Sequence, residues 1–419
     1  MNRLRMVAAA HKLFGRPMKN TSLSVLAALA LACIANAQQN PSDTPPSTLR
    51  IVSSLPRTGS ANAQTTSMVN GIKMAIDEVG GKIGSHTIEY EDMDDASPQR
   101  GNWDAAVEAQ NASKAITNEN VIGYIGTYNS GAAKISMPML NKAGLVMISP
   151  GNTYPGLTKP GTGEKNEPRI YRPSGKINYF RVVPTDDLQG TVAADWSKSM
   201  GCKTLYILDD RELYGKGIAD VFEKRAKEIG ITVLGREGID NKASNYKALA
   251  NKIKAANPDL VYYGGTTQTN AAQIAKDLRS VGVVAKYMVP DGCFENAFIE
   301  AAGASNLNGN TFITFGGLPA DQLTGRGAAF RKAYMQKYKT DPEAYALYGY
   351  ECGRVLLDSI KRAKTKTRAG ILEAVGQTKD FDGALGTWSF DQNGDTSSRL
   401  MSGQTVTDGK FEFVKVLGQ

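Results

Sequence analysis

From Leu49 onward, short runs of apolar and β-branched residues alternate with amphipathic stretches of helical length, the pattern of strands feeding covering helices. These runs predict strands at 50–55, 87–93, 121–125, 146–149, 204–208, 232–236, 260–264 and 287–290. Helices are expected near 64–79, 103–118, 131–142, 187–199, 215–229, 244–256 and 267–281. The alternation runs twice. Its first series closes at a polar, Gly- and Pro-rich stretch, 155–178, too long for an ordinary connection and read as a surface excursion. The second begins at Arg181. Beyond about residue 318 the pattern changes to long helices at 320–339 and 343–364, a shorter one near 368–377, and antiparallel-type strands. The predicted fold class is α/β: two doubly wound parallel-sheet lobes with a ligand cleft between them, one lobe completed by the third segment. In such sheets ligands bind beyond the carboxyl ends of the strands.

The amino terminus carries a different pattern. Residues 23–34 are apolar except for Ser24, and Ala35-Asn36-Ala37 forms a small-x-small cleavage site, so 1–37 reads as a signal peptide cut before Gln38. The apolar run falls well short of the roughly 20 residues that span a bilayer. Residues before Met18 add nothing to the signal, which makes Met18 a possible true start. Lipid attachment at Cys33 is the less favoured alternative, because Ala30 stands where lipoprotein signals carry leucine. Residues 38–47, with Pro41, Pro45 and Pro46, read as a flexible linker. The expected location is periplasmic.

Removing the signal changes the charge picture. The whole chain has 49 basic and 41 acidic residues, but Arg3, Arg5, Lys12, Arg16 and Lys19 all lie in the signal, leaving 44 against 41. A balance that small carries no footprint for nucleic acid. Two histidines, His11 and His86, exclude any mechanism that needs a pair in the mature chain. Cys202, Cys293 and Cys352 show no metal-ligand spacing and read as free, mostly buried thiols.

Phosphate-binding, zinc-protease, serine-hydrolase and dinucleotide signatures are absent, and no cofactor is expected. The acidic run Glu91, Asp92, Asp94, Asp95 reads as a solvated strand end, and Asp391-Gln392-Asn393-Gly394-Asp395 as a turn. Two polar clusters follow strands: Gly126-Thr127-Tyr128-Asn129-Ser130 and Gly151-Asn152-Thr153. Hydroxyls and free helix-start amides suit an anion, although capping alone would explain either one. Asp291, in Pro290-Asp291-Gly292, is placed to receive an ammonium group or simply to make a turn.

The stretches LPRTGSANAQTTSMVNGIKMAIDEVGG (55–81), VIGYIGTYNSGAA (121–133), GLVMISPGNTYPGLT (144–158), LYGKGIAD (213–220), DLVYYGGTTQTNAAQIAKDLRSVG (259–282) and GALGTWSFDQNGD (383–395) together resemble the type I periplasmic binding proteins of ABC importers, specifically the branched-chain amino acid (Leu/Ile/Val) binding family. The resemblance implies three crossovers, near Val183, Phe315 and Leu385. Lobe one would comprise 48–183 with 316–384, and lobe two 184–315 with 385–419. It implies that loops matching Thr127 and Thr153 hold a ligand carboxylate. The ammonium would be held by the loop matching Gly151, Asn152 and Thr153 and by Asp291. Gln64 and Thr266 fall where the family has side-chain-pocket positions, Gln64 replacing an aromatic residue, while Tyr128, Tyr214 and Tyr345 line the cleft. Those polar groups favour a polar or aromatic side chain over leucine. The implied function is non-enzymatic capture of an amino acid by lobe closure and delivery to an inner-membrane permease, by a monomer. Alternatives are an amide, urea-like or aromatic-acid ligand on the same fold, or a co-receptor for a signalling protein.

Overall fold

The computed structural model describes residues 47–418; the predicted signal peptide, Met18, Cys33 and all but the last residue of the linker lie outside the described residues. The first sheet has the order Lys82–Ile83, His86–Asp94, Thr48–Leu55, Val121–Gly126, Val146–Ser149, Tyr179–Arg181, parallel except at the short first strand. Val121–Gly126 and Val146–Ser149 are buried at every position, as a parallel strand covered by helices on both faces requires. The second sheet runs Thr232–Gly238, Thr204–Asp209, Leu260–Gly264, Lys286–Val289, Thr311–Gly316, and then adds Met401–Thr407 and Lys410–Leu417 antiparallel.

The chain passes between the sheets three times. It leaves the first after Arg181 and returns after Gly316, when helices Gly325–Tyr338, Ala346–Arg362 and Arg368–Gly376 form. Ala346–Arg362 packs along Asn62–Glu78 against the first sheet. Glycines set that spacing: a methyl group on Gly71 would run into the Ala346 carbonyl, and one on Gly349 into the Met68 backbone. After the hairpin Phe381–Gly383/Gly386–Trp388, the chain rejoins the second sheet at Met401.

All eight expected strands are present, but Tyr179–Arg181 and Thr311–Gly316 also form strands and were not foreseen. The first is only three residues long, and the second sits among polar residues where its short alternation is weak. The expected helix 267–281 is broken: Thr267–Thr269 is a 3₁₀ turn, Asn270 takes φ 76°, and the helix starts at Ala271. Likewise 320–339 divides into the turn Ala320–Gln322 and the helix Gly325–Tyr338.

Two readings of polar segments need correction. Glu91 and Asp92 do pair with Lys114 (2.5 Å) and Arg57 (3.1 Å) at a partly solvated strand end, but Asp95 is wholly buried and its carboxyl has no hydrogen-bond partner. Burial, and then the charge of Glu108, push its proton affinity well up. The 155–178 segment runs over the surface at 160–166 and 173–176 as expected, but it is anchored at 155–158, 167–168 and 171. Glu167, itself buried, accepts from Tyr154 (3.0 Å) and Tyr171 and pairs with Lys134 (3.2 Å), pinning the segment to the Ser130–Lys142 helix. The Asp391 turn forms as expected, its carboxylate accepting from the amides of Asn393 (2.7 Å) and Asp395 (3.0 Å). Cys202, Cys293 and Cys352 are free and buried.

Candidate functional site

The loops that follow the carboxyl ends of both sheets converge. From the first sheet, Val121–Gly126 leads through Thr127 to the helix Ser130–Lys142, Val146–Ser149 leads to Gly151–Tyr154, and Tyr179–Arg181 leads to the helix Asp186–Ser199. From the second, Thr204–Asp209 leads to the helix Leu213–Glu228, Leu260–Gly264 to Thr266–Thr269, and Lys286–Val289 to the turn Asp291–Cys293. Between them lies a crevice of about 20 Å³, room for about one water, lined by Tyr128, Asn129, Ser130, Gly151, Tyr214, Thr266, Asp291 and Gly292. A larger groove of about 670 Å³ lies beneath the 155–178 segment, beside Asp187, Glu212, Lys216 and Lys224. It is open and of mixed charge, and Thr127, Gly151, Thr266 and Asp291 do not line it.

On the first-sheet side, hydrogen bonds fix the two polar clusters against each other. Asn152 donates its amide to the Thr127 hydroxyl (3.2 Å) and the Tyr128 carbonyl (2.9 Å), and accepts from the Tyr179 hydroxyl (3.1 Å). Thr127 donates to the Asn129 carbonyl (2.8 Å). Thr127 and Asn152 therefore shape the wall from beneath, while Ser130 and Gly151 line it. The start of the Ser130–Lys142 helix supplies amides and a positive dipole end on this side.

The opposite wall is acidic. Asp291 is buried and accepts from the hydroxyls of Tyr214 (2.6 Å) and Tyr345. Asp186, the first residue of its helix, is wholly buried, and neither carboxylate oxygen has a hydrogen-bond partner; the nearby Thr153 hydroxyl is also unpartnered. Burial raises the proton affinity of both acids. For Asp291 the tyrosine and Gln189 hydrogen bonds work against that rise; for Asp186 the negative charge of Asp291 adds to it, with Thr153 and Arg181 opposing. A positive group between them would relieve both effects.

Arg181 organises the floor. It is wholly buried, pairs with Asp395 (2.7 Å), and donates to the carbonyls of Asn152 (3.0 Å) and Tyr154 (2.8 Å) and to the Thr158 hydroxyl. Its charge is thus spent on Asp395 and on the loop that carries Gly151–Tyr154. Gln64 accepts from the Tyr345 amide (3.0 Å) and donates to the Phe294 carbonyl (3.3 Å), linking the Asn62–Glu78 helix to the loop after Asp291. Tyr128 and Tyr345 meet edge to face with centroids 5.8 Å apart.

The family model described as Periplasmic binding protein matches residues 48–410. The chain belongs to the periplasmic binding protein family. A Leu/Ile/Val-binding protein homolog 1 from Brucella abortus is 27% identical over 368 residues, covering 86% of this chain and 92% of the relative. The leucine binding protein LivK of Thermotoga maritima superposes with a TM-score of 0.78 at 25% identity, covering 88% of this chain and 99% of that one. LivJ of Streptococcus pneumoniae, a branched-chain amino acid transporter substrate binding protein solved with isoleucine, gives 0.76, also at 25% identity and with the same coverage. This periplasmic binding protein is of the ABC-transporter type and is not an enzyme.

The structure brings Tyr128, Gly151, Tyr214, Thr266 and Asp291 to the crevice and places Thr127, Asn152 and Gln64 in the network around it. Thr153 lies beside Asp186, and Tyr345 acts through its hydroxyl on Asp291. Sequence reasoning missed Asp186 and Arg181. Both border the three-residue strand Tyr179–Arg181, and without that strand no strand-end search could reach them. The Pro184-Thr185-Asp186 entry to a helix was the available signal.

Proposed function

We propose that this protein captures an amino acid by closure of two lobes and hands it to an inner-membrane ABC permease. The lobes would be 48–183 with 316–384 and 184–315 with 385–419. The α-ammonium sits between Asp186 and Asp291, beside Thr153. The α-carboxylate faces Ser130, Gly151 and the helix-start amides held in place by Thr127 and Asn152. One observation carries this reading: two buried carboxyls with no basic side chain to spare for them stand opposite an amide- and hydroxyl-rich wall, a polarity that matches a zwitterion. The crevice is too narrow to admit an amino acid without separation of the loops, so binding and closure are one event. The signal pattern at 1–37 and membership in the periplasmic binding protein family support export to the periplasm. The relatives that bind leucine or isoleucine support an amino-acid ligand.

The test is thermal unfolding of the chain from Gln38 with free amino acids and with their α-amides. A ligand at about 100 times its Kd adds roughly 2.7 kcal/mol, a clear shift. Free amino acids are expected to stabilise, their amides to do so far less, and Asp291→Asn to weaken binding about 100-fold, near 2.7 kcal/mol. Stabilisation by amides or aromatic acids but by no amino acid would overturn the zwitterion reading.

A further inference from the structure

The zwitterion clamp leaves a second group of buried polar atoms unused. Beyond the Asp291–Cys293 turn the chain runs through Phe294 to Glu295, and this segment is held from the first-sheet side. Gln64 donates to the Phe294 carbonyl (3.3 Å), and Glu343 accepts from the Asn296 amide nitrogen (3.3 Å) and side chain (2.9 Å). Glu295 is 1% exposed. One of its oxygens accepts from Gln268 (2.8 Å); the other has no partner. Gln268 Oε1, Thr267 Oγ1 and the Tyr128 hydroxyl are also buried without partners.

The charges around this group are of one sign. Besides burial, the Glu295 carboxyl feels Thr267, Gln268 and the negative Glu343, and no basic side chain. Gln268, which donates to Glu295, follows two residues after Thr266 on the crevice wall, and the Glu295 charge acts on the hydroxyl of Tyr128, which also lines it. Gln268 donates to one Glu295 oxygen and the hydroxyls of Thr267 and Tyr128 are further donors, but all of these are neutral, and a buried carboxylate is held most strongly by a charged donor. What the cluster lacks is a positively charged donor.

We propose that Glu295, with Thr267 and Gln268 beside it and Tyr128 near it, forms a side-chain subsite for a ligand whose far end carries a cationic hydrogen-bond donor, an ammonium or guanidinium group. The proposal rests on the amino-acid reading above: Asp186 and Asp291 take the α-ammonium, and Glu295 takes a second positive group. Asp291 and Glu295 are four residues apart, on one short segment that begins with the 3₁₀ turn Asp291–Cys293. An aliphatic side chain would bury Glu295 and Gln268 with their acceptors still unpaired. The preferred ligand is therefore a basic amino acid and not a branched aliphatic one.

Calorimetric titration of the chain from Gln38 tests this with ornithine, lysine and arginine against norvaline and norleucine, whose side chains end in a methyl group. The best basic ligand is expected to bind roughly tenfold or more tighter than the apolar ones. Glu295→Gln should remove most of that advantage while changing norleucine affinity by no more than about twofold. Equal affinities for lysine and norleucine, or a preference unchanged in Glu295→Gln, would overturn the subsite. Should the variant fail to fold, the wild-type series decides alone. Binding of amino acids without side-chain preference removes only this proposal; failure of every amino acid removes it together with the clamp.

Discussion

Arg181–Asp395 and Asp186/Asp291 are both buried charged groups near the same loops, yet they are built in opposite ways. In the first, each charge meets its opposite at 2.7 Å, and the remaining guanidinium donors are taken by Asn152, Tyr154 and Thr158. In the second, two buried acids feel each other's charge, with tyrosine hydroxyls on one and no hydrogen-bond partner on the other. A matched buried pair holds a structure in one geometry; an unmatched one raises the energy of the free protein and lowers it again when a cation arrives. The first fixes the loop, and the second is the pair to which the proposed clamp assigns recognition.

Replacing Arg181 should have the largest effect. Arg181→Met leaves Asp395 buried without its partner, and denaturant unfolding is expected to show a loss of about 3–5 kcal/mol, with or without ligand. A loss below about 1 kcal/mol would mean that the pair is not the keystone of the loop.

Glu108 is an intermediate case, a buried carboxyl that accepts from the hydroxyls of Ser54 (2.5 Å) and Tyr124 (2.9 Å) with Ser136 also acting on it, while burial pushes its pKa up to about 7. The folded state then holds the proton more tightly than the unfolded one, so this group stabilises the fold fully at low pH. That contribution is lost as pH rises from about 4 through about 7. Glu108→Gln should flatten the stability-against-pH curve in that window by on the order of 1–3 kcal/mol. An unchanged slope would assign the effect to other acids.

The smallest change is expected at the unmatched pair. Asp186→Asn removes repulsion from the unliganded protein, so its stability should hold or rise by about 1 kcal/mol while ligand-induced stabilisation falls. Loss of stability in the unliganded variant would place Asp186 with the structural charges and erase the contrast.

Much of this molecule was legible without coordinates. Short, continuous apolar stretches such as 121–126 and 260–264 appear as strands because such runs ending in glycine are too short for a helix and suit a fully buried strand. Asp291, which lines the crevice, was picked out because it follows such a run. Asp186 was hidden behind a strand of three residues whose pairing comes from a neighbour, Met147 opposite Tyr179, and not from its own pattern. Asp95 looked like its solvated neighbours because an acidic run does not say which member the fold covers.

Local pattern, then, determined the alternation of strands and helices, their division into two series, the polar clusters at strand ends and the absence of catalytic signatures. Tertiary structure alone decided which charges are matched. Arg181 and Asp395 are 214 positions apart, and Tyr345 reaches Asp291 across 54. Whether a buried acid meets a base, a hydroxyl or nothing depends on groups that share no local sequence, so only the folded chain separates the matched charges from the unmatched ones.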